Sequence, residues 1–273
     1  MIRRNFSSRA RQLSGGDAIL ISIPKSGRTW VRTFLCAYYC RRHGREFTLD
    51  PQRYVDLDIP RVIYSHDLFE HRTKGSWWDW FRGKYLVPVA ELQQAKKIIL
   101  LARDPRDCFV SLYLQMTRRT AETPAKLKQK TTSEMLRDRQ FGIRAIVRTM
   151  NDWLNELTRH DHFALLRYET IRAAPAEKFR ELLEWLGEND AESSIFEWAV
   201  DFSCFENMQK MEAARAFDSK ILQPGDAGDR ESFKVRRGKI GGFTDYLSID
   251  DQRYAAEEMK SLHPRFGYAP LTN

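Results

Sequence analysis

The feature that most constrains the fold is an apolar segment followed at once by a polar loop and an amphipathic helix, in residues 19–32 (ILISIPKSGRTWVR). Ile19–Ile23 is rich in β-branched residues, which is typical of a strand buried on both faces. Pro24 ends the strand because proline lacks the amide hydrogen that a neighbouring strand would use. Apolar residues at helical spacing then predict a helix over Thr29–Tyr39.

The loop between this strand and this helix has the composition of an anion site. The first amide groups of a helix lack partners within the helix, and the helix dipole favours negative charge there. Lys25 adds a positive charge, while Ser26 and Thr29 add hydroxyl donors. An ordinary strand-to-helix turn with a surface lysine would look the same. The loop also differs from the standard phosphate loop, because its lysine precedes a single glycine, Gly27.

Composition indicates one domain, and its positive net charge is compatible with an anionic ligand. The 273 residues are 42% hydrophobic, enough for one large core, and the net charge is +8. A basic chain suits an anionic ligand, nucleic acid or a membrane surface. The basic residues are spread along the chain and no nucleic-acid motif is present, so we expect no nucleic-acid partner. We expect a flexible basic arm over residues 1–17, without the apolar stretch of a secretory signal, and one domain over residues 18–273.

Cysteine usage indicates a reducing compartment, and we therefore expect a cytoplasmic protein. Four cysteines in a chain of this length imply no disulfide framework. Cys36 and Cys40 share a helix face, but no matching Cys or His pair stands nearby at ligand spacing. We expect them to pack in the core and not to bind a metal.

Three more apolar segments predict the remaining strands, at Arg61–Ser65, Lys97–Ala102 and Phe163–Leu166. The most apolar of them, Lys97–Ala102, is expected at the centre of the sheet. Strands that alternate with helices predict an α/β fold, with a mostly parallel central sheet flanked by helices. The helices are predicted over Val89–Ala95, Pro105–Arg118, Phe141–Arg159, Pro175–Leu186, Asp250–Leu262, and from a capping-box pattern at Ser203 and Glu206 to about Arg215.

Three segments lack a clear period. Residues 77–81 (WWDWF) hold four aromatic side chains, which suits a lid or pocket wall as well as a small core under a loop. Residues 120–132 are expected to form a mobile surface loop. Residues 217–242 are rich in Gly, Asp and Arg, and a long irregular segment of this kind is usually functional or disordered.

Several motifs resemble those of the sulfotransferases that use 3′-phosphoadenosine 5′-phosphosulfate (PAPS). PKSGRTW at 24–30 is similar to their PKSGTTW loop, with Arg28 in place of Thr. ARDPRDCFVS at 102–111 resembles R-[ND]-P-x-D-x-x-V-S. VRRGKIGGF at 235–243 resembles R-K-G-x-x-G-D-W, with Gly and Phe in place of Asp and Trp. LLRYETIRAAP at 165–175 and FSCFENM at 202–208 resemble two further family segments, so the resemblance extends over nearly the whole chain.

The resemblance implies PAPS as co-substrate and 3′,5′-adenosine bisphosphate (PAP) as product. The loop would hold the 5′ end of the nucleotide, the two arginine motifs would hold its 3′-phosphate, and the other segments would hold the adenosine. The residues carried over to nucleotide binding are Lys25, Ser26, Gly27, Arg28, Thr29, Trp30, Arg103, Ser111, Tyr168, Ser203, Phe205, Arg236, Arg237 and Gly238.

Two residues carry the implied catalysis. His66 stands in SHDLFE, where the family has K-[TS]-H-L-P, and the family's histidine acts as general base. An imidazole titrates near neutral pH and suits that role. Lys25 would stabilise charge on the bridging oxygen as the nucleotide leaves. Tyr64 and Asp67 replace the Lys and Leu of the pattern.

The sequence therefore predicts a PAPS-dependent sulfotransferase with a single P-loop-like α/β domain. The acceptor would be a hydroxyl of a small compound, a carbohydrate or a glycolipid, and the scheme requires no metal. The basic arm could touch an anionic membrane surface weakly. Two alternatives remain: a P-loop kinase that needs magnesium, and a non-catalytic nucleotide- or glycan-binding protein on the same scaffold. The oligomeric state is open, because residues 244–253 match the family's dimer motif poorly.

Overall fold

A computed structural model describes residues 15–54, 57–66, 97–217 and 220–268. The strands are β1 (Ala18–Ser22), β2 (Val62–Ser65), β3 (Ile98–Ala102) and β4 (Phe163–Arg167). The α-helices are α1 (Arg28–Arg42), α2 (Pro105–Leu114), α3 (Ala125–Lys128), α4 (Thr132–Leu136), α5 (Ile143–Leu157), α6 (Tyr168–Ala173), α7 (Pro175–Leu186), α8 (Ser193–Phe202), α9 (Phe205–Ala213) and α10 (Ile249–Met259). A π-helical turn, Gln115–Arg119, continues α2.

The four strands form one parallel sheet in the order β2-β1-β3-β4. The two inner strands, β1 and β3, are buried along their whole length. Their side chains alternate between the faces, so that Ile19 and Leu100 enter one core while Leu20 and Leu101 enter the other. This explains why both strands read as continuous apolar runs, and it confirms the predicted central place of β3.

Helices cover both faces of the sheet. On one face α2, α5 and α10 contribute buried side chains such as Phe109 and Met259. On the other face α1 and α7 meet through Phe34 and Phe179, whose rings stack with centroids 4.0 Å apart. The predicted α/β class is therefore confirmed. None of the described helices is both long enough and apolar enough to span a bilayer.

The carboxyl ends of the strands all lie at one edge of the sheet, because the strands are parallel. The polar loop after β1, His66 after β2, Arg103 after β3 and Tyr168 after β4 therefore come to the same edge. Open α/β sheets bind their ligands at such an edge. The fold thus gathers residues that are far apart in the sequence.

Residues at the ends of two helices explain where these helices begin and end, and the predicted burial of two cysteines is confirmed. Asp104 caps α2, since its carboxylate accepts from the amide of Arg106 at 2.9 Å, and a proline occupies the first helical position. Gly44, just past the end of α1, has a φ of 60°, the left-handed conformation expected there. Cys36 and Cys40 are buried in the core.

The structure departs from the predictions, or adds to them, in several places. The predicted capping box does not form: Cys204 precedes α9, and the buried Ser203 hydroxyl instead donates to the carbonyl of Val200 at the end of α8. Residues 120–132 contain the short helix α3, and α2 gives way to the π-turn after Leu114. Residues 217–242 contain two short 3-10 turns, Lys220–Leu222 and Arg230–Ser232.

Three predictions fall on residues outside the described ranges. They concern residues 1–14 of the basic arm, the aromatic residues 77–81 and the helix over Val89–Ala95.

Candidate active site

The loop between β1 and α1 has an unusual backbone. Lys25 and Gly27 have φ values of 77° and 97°, so two residues of this short loop adopt the left-handed conformation. A side chain at Gly27 is excluded, because a Cβ there would lie 2.7 Å from Cδ2 of Tyr168. The loop therefore approaches the Tyr168 ring as closely as only glycine allows.

A cavity of about 980 Å³ opens beside this loop. It is lined by most of the residues that the sequence motifs singled out: Lys25, Gly27, Arg28, Thr29, Trp30, His66, Arg103, Ser111, Tyr168, Phe205, Arg236, Arg237 and Gly238. The cavity wall does not include Ser26 and Ser203, which are both fully buried. Segments from six regions of the chain thus converge on one space large enough for two ligands.

Arg103 lies at the end of β3, where it is held from three sides. Its Nη1 donates to the carbonyl of Lys25 and its Nη2 to that of Lys239, both at 3.3 Å. Its guanidinium lies 4.3 Å from the centroid of the Tyr168 ring, and its Nη2 lies 3.5 Å from Oδ2 of Asp107. The buried Nε has no partner among the described residues. Arg103 is therefore oriented in the cavity wall, and not all of its five N–H donors are used.

Asp107 joins α2 to the loop that carries the last motif. Its two carboxylate oxygens accept from the amides of Gly241 and Phe243, each at 2.9 Å. Burial raises the pKa of Asp107, although the charge of Arg103 and these two amides oppose that rise. The aspartate of the second motif thus holds the third motif in place.

Aromatic side chains form one wall of the cavity. Trp30 meets Tyr168 edge to face, with ring centroids 5.8 Å apart. Phe205 lies against Gly238, where a Cβ would come within 2.8 Å of the phenyl ring. The Tyr168 hydroxyl donates to the carbonyl of Gly238 at 3.5 Å. Aromatic faces of this kind can stack on a nucleobase.

The two arginines of the last motif are already paired with acids. Arg236 donates to Glu231 at 2.9 Å and also contacts the hydroxyl of Tyr246. Arg237, about half exposed, lies 3.0 Å from Asp245. Both still line the cavity, where they can meet an anion from one side.

His66 is oriented by the end of β1. Its Nδ1 lies 2.6 Å from the carbonyl oxygen of Ser22 and 3.2 Å from the hydroxyl of the same residue. Because a carbonyl can only accept, Nδ1 carries the hydrogen, and in the neutral ring the lone pair is on Nε2. Tyr64, which replaces a lysine of the family pattern, does not line the cavity. The guanidinium carbon of Arg32 lies 5.1 Å from the centroid of the Tyr64 ring.

Lys25 lies among other cations. Desolvation and the charge of Arg119 lower the pKa of Lys25 to about 7, with smaller contributions from Arg103 and Arg236. The carboxylate of Glu212 opposes this effect. The loop lysine is therefore poised to change its charge near neutral pH when an anion arrives.

Three charged residues of this region were missed by the sequence motifs. Arg119 and Lys234 line the cavity, and Glu212 is fully buried behind it. Arg119 stands eight residues after Ser111, two helical turns farther along, and Lys234 stands two residues before Arg236. This nearness to the motifs along the sequence is the only sign that the two cations belong to the cavity. A lysine or arginine on the solvent-exposed surface could have the same spacing.

Comparison with known proteins supports the family suggested by the motifs. The model of the sulfotransferase domain family matches residues 16–263. Cytosolic sulfotransferase 17 of Arabidopsis thaliana is 24% identical over 250 residues, covering 85% of this chain and 70% of the relative. Amine sulfotransferase of Oryctolagus cuniculus is 21% identical over 266 residues, covering 93% and 84%.

Solved structures share the fold. A mouse sulfotransferase in complex with PAP superposes with a TM-score of 0.58 at 17% identity, covering 93% of this chain and 88% of that one. Retinol dehydratase in complex with androsterone and PAP gives a TM-score of 0.61 at 16% identity, covering 99% and 88%. The match to the sulfotransferase family model, over residues 16–263, favours the predicted sulfotransferase over the kinase alternative. The chain therefore belongs to the sulfotransferase domain family.

Proposed function

We propose that this protein transfers the sulfonate group of PAPS to a hydroxyl group of an acceptor and releases PAP. The observation that carries this function is the meeting of the β1–α1 loop, Arg103 and His66 at one edge of the sheet, in a single cavity. The loop supplies an anion site at a helix N-terminus, and His66 supplies a base with a defined tautomer.

The nucleotide would lie along the aromatic and basic wall. Trp30, Tyr168 and Phe205 offer faces for the adenine, and Arg103 offers its guanidinium group to the 3′-phosphate. Arg236 and Arg237 would contact the same phosphate from the opposite loop. The first turn of α1 would bind the 5′-phosphate through its amides.

His66 acts as general base in this scheme. Its Nε2 accepts the proton of the acceptor hydroxyl as the hydroxyl oxygen forms a bond to sulfur. The bond from sulfur to the bridging oxygen breaks, and PAP carries away the electron pair. Lys25 stabilises the charge that develops on the bridging oxygen.

The anionic nucleotide itself would make Lys25 suitable for that task. A negative ligand beside a lysine raises the pKa of the ammonium group, which reverses the effect of the neighbouring cations. Lys25 is therefore expected to be fully charged in the nucleotide complex. Positioning and electrostatics then do most of the catalytic work, as in phosphoryl transfer.

The hydroxyl acceptor is also part of the proposal. Structures of retinol dehydratase contain androsterone or retinol beside PAP, and a relative from Flaveria chlorifolia is named flavonol 4′-sulfotransferase. Several relatives are named cytosolic sulfotransferases, which supports a cytoplasmic location. A weak membrane contact of the basic arm has support only from its charge.

Calorimetric titration with PAP in the presence of a chelator tests the nucleotide part of this function. We expect PAP to bind without metal, and ATP with magnesium to bind far more weakly in a parallel titration without chelator. Binding of ATP with magnesium alone would move the function to a kinase. Binding of PAP with no transfer to any hydroxyl would leave a non-catalytic nucleotide-binding protein.

A further inference from the structure

The basic residues of the cavity that the proposed nucleotide contacts do not use include Arg119 and Lys234. Arg119 is the last residue of the π-turn after α2, and Lys234 lies in the segment that leads to the Arg236 motif. Both are partly buried and both line the cavity. They come from distant parts of the chain, so only the fold brings them together.

Backbone carbonyl groups hold both side chains in place. Arg119 donates through Nε and Nη2 to the carbonyl of Gln223, at 3.2 and 2.8 Å. Lys234 donates through Nζ to the carbonyl of Ile221 at 2.9 Å. Gly225 lies against the Arg119 backbone so closely that a Cβ would come within 2.8 Å of its Cα. The two cations are therefore built into the wall and do not swing freely in solvent.

Neutral carbonyl groups do not balance the charge of this pair. In the described part of the chain, no carboxylate lies within salt-bridge distance of Arg119 or Lys234. Glu212 is the nearest acid behind the wall, but both of its oxygens accept from backbone amides, those of Lys234 and Val235, at 2.7 Å. Glu122 also lines the cavity, as an exposed side chain.

The local electrostatics favour a negatively charged ligand. Desolvation holds the pKa of Lys234 well below its usual range, and the charges of Lys25 and Arg119 act in the same direction. Desolvation also lowers the pKa of Arg119. Lys25, Arg28, Arg119 and Lys234 thus lie close enough to act on one another, with Glu212 as the opposing carboxylate, and such a group of cations favours binding of an anion.

The position of the pair points to the acceptor. Eight residues of helix separate Arg119 from Ser111, which places Arg119 about 12 Å along the helix axis from the proposed 3′-phosphate contact. Met116, Leu127 and Phe141 add apolar side chains to the cavity wall, beside the polar Gln115, Thr120 and Thr123. A volume of about 980 Å³ leaves room for a second ligand beside the nucleotide.

We propose that Arg119 and Lys234 bind an anionic group of the acceptor, so that the enzyme sulfonates hydroxyl compounds with an apolar body and a negatively charged group. This inference rests on the proposed function and narrows its acceptor class. Arg119 offers its remaining guanidinium donors, and Lys234 offers the remaining hydrogens of its ammonium group.

Matched acceptors that differ only in charge test this proposal. The probes are para-hydroxyphenylpropionate and omega-hydroxydodecanoate, each compared with its own carboxamide, with PAPS as donor and mass spectrometry as readout. We expect kcat/KM to favour each carboxylate by about tenfold to a hundredfold, as for hydrogen bonds to a charged group. A ratio near one, or a preference for the carboxamide, overturns the anion subsite and leaves the sulfotransferase function standing.

Variants of Arg119 and Lys234 test whether these two residues cause the preference for a carboxylate over its carboxamide. Arg119→Gln and Lys234→Gln should bring the ratio close to one, while the charge-conserving variants Arg119→Lys and Lys234→Arg keep it and remain available if a glutamine variant fails to fold. The matched control is Arg118→Gln, one residue away, because the Arg118 side chain is 60% exposed and its nearest carboxylate, in Asp229, is 3.9 Å distant. An unchanged ratio in both glutamine variants overturns the proposal.

Calorimetry distinguishes two candidates for the anion that Arg119 and Lys234 bind, the charged group of the acceptor and the sulfonate group of PAPS. The ratio of PAPS affinity to PAP affinity should be the same in the variants as in the wild type, because the charge of Lys25 affects both nucleotides, and a selective loss of PAPS affinity assigns the pair to the sulfonate and overturns the proposal. If no probe is sulfonated, titration of the PAP-saturated protein decides. Binding of a carboxylate without its carboxamide supports the subsite, and no carboxylate binding overturns it. Failure of PAP to bind overturns the proposed function instead.

Discussion

Lys25 should make nucleotide binding depend on pH. In the free protein, desolvation and the charge of Arg119 lower the pKa of Lys25 to about 7. A bound nucleotide brings phosphate groups beside the same ammonium group and raises its pKa. The bound form therefore holds more protons than the free form above pH 7, and PAP affinity is expected to fall as the pH rises.

The size of the effect follows from the pKa in the free protein. At pH 8 about nine tenths of Lys25 is uncharged when its pKa is about 7, so binding should take up close to one proton. Affinity should then fall by up to about tenfold per pH unit, equivalent to ~1.4 kcal/mol, until the pH reaches the pKa in the complex. Below pH 7 this dependence should vanish, because Lys25 is already charged.

Calorimetry in two buffers with different enthalpies of ionisation measures the proton uptake directly, between pH 7.5 and pH 9, where the phosphates of PAP are fully ionised. The Lys25→Gln variant should lose most of the uptake. The pKa of Lys234 is also well below its usual range, so this lysine can take up a proton when an anion binds nearby. The Lys234→Gln variant therefore serves as the comparison that separates its uptake from that of Lys25. Uptake that is absent in the wild type, or unchanged in Lys25→Gln, would refute the reasoning.

Three further predictions concern single residues. His66→Ala should abolish sulfonate transfer but leave PAP affinity within about threefold, as measured by product formation and calorimetry; retained turnover removes His66 from the base role. Arg103→Ala should weaken PAP binding by about 1.5–3 kcal/mol, because a charge-assisted contact to phosphate is lost, and unchanged affinity contradicts the contact. Gly27→Ala should cost about 1–2 kcal/mol of stability from its positive φ and should also impair PAP binding, because its Cβ would clash with a ring. The matched control Gly44→Ala, with φ of 60° and open space around it, should lower the melting temperature without affecting PAP binding.

The buried strands and the site edge could be predicted from the sequence because each leaves a local signal. β1 and β3 are buried on both faces, so they read as unbroken apolar runs. Asp104 and the following proline mark the start of α2. Motifs at strand ends then come together by necessity, since parallel strands end at one edge.

Other features leave no local signal. Ser203 matches a capping position by sequence, but it lies at the end of α8, where a helical carbonyl takes its hydroxyl. Whether α8 and α9 are separate helices depends on packing around Phe202 and Met208, which the residues between them do not reveal. Arg119 and Lys234 stand more than a hundred residues apart, so their meeting in one cavity follows only from the three-dimensional fold.

The contact of Asp107 with the amides of Gly241 and Phe243 has a consequence for folding. It spans 134 and 136 residues of sequence, whereas the four strands of the sheet are complete by Arg167. Contacts between such distant residues form only after a large loss of chain entropy. All four of these strands therefore emerge from the ribosome well before the loop that completes the proposed nucleotide site. A ligand that binds only the finished site stabilises that state over all partly folded ones.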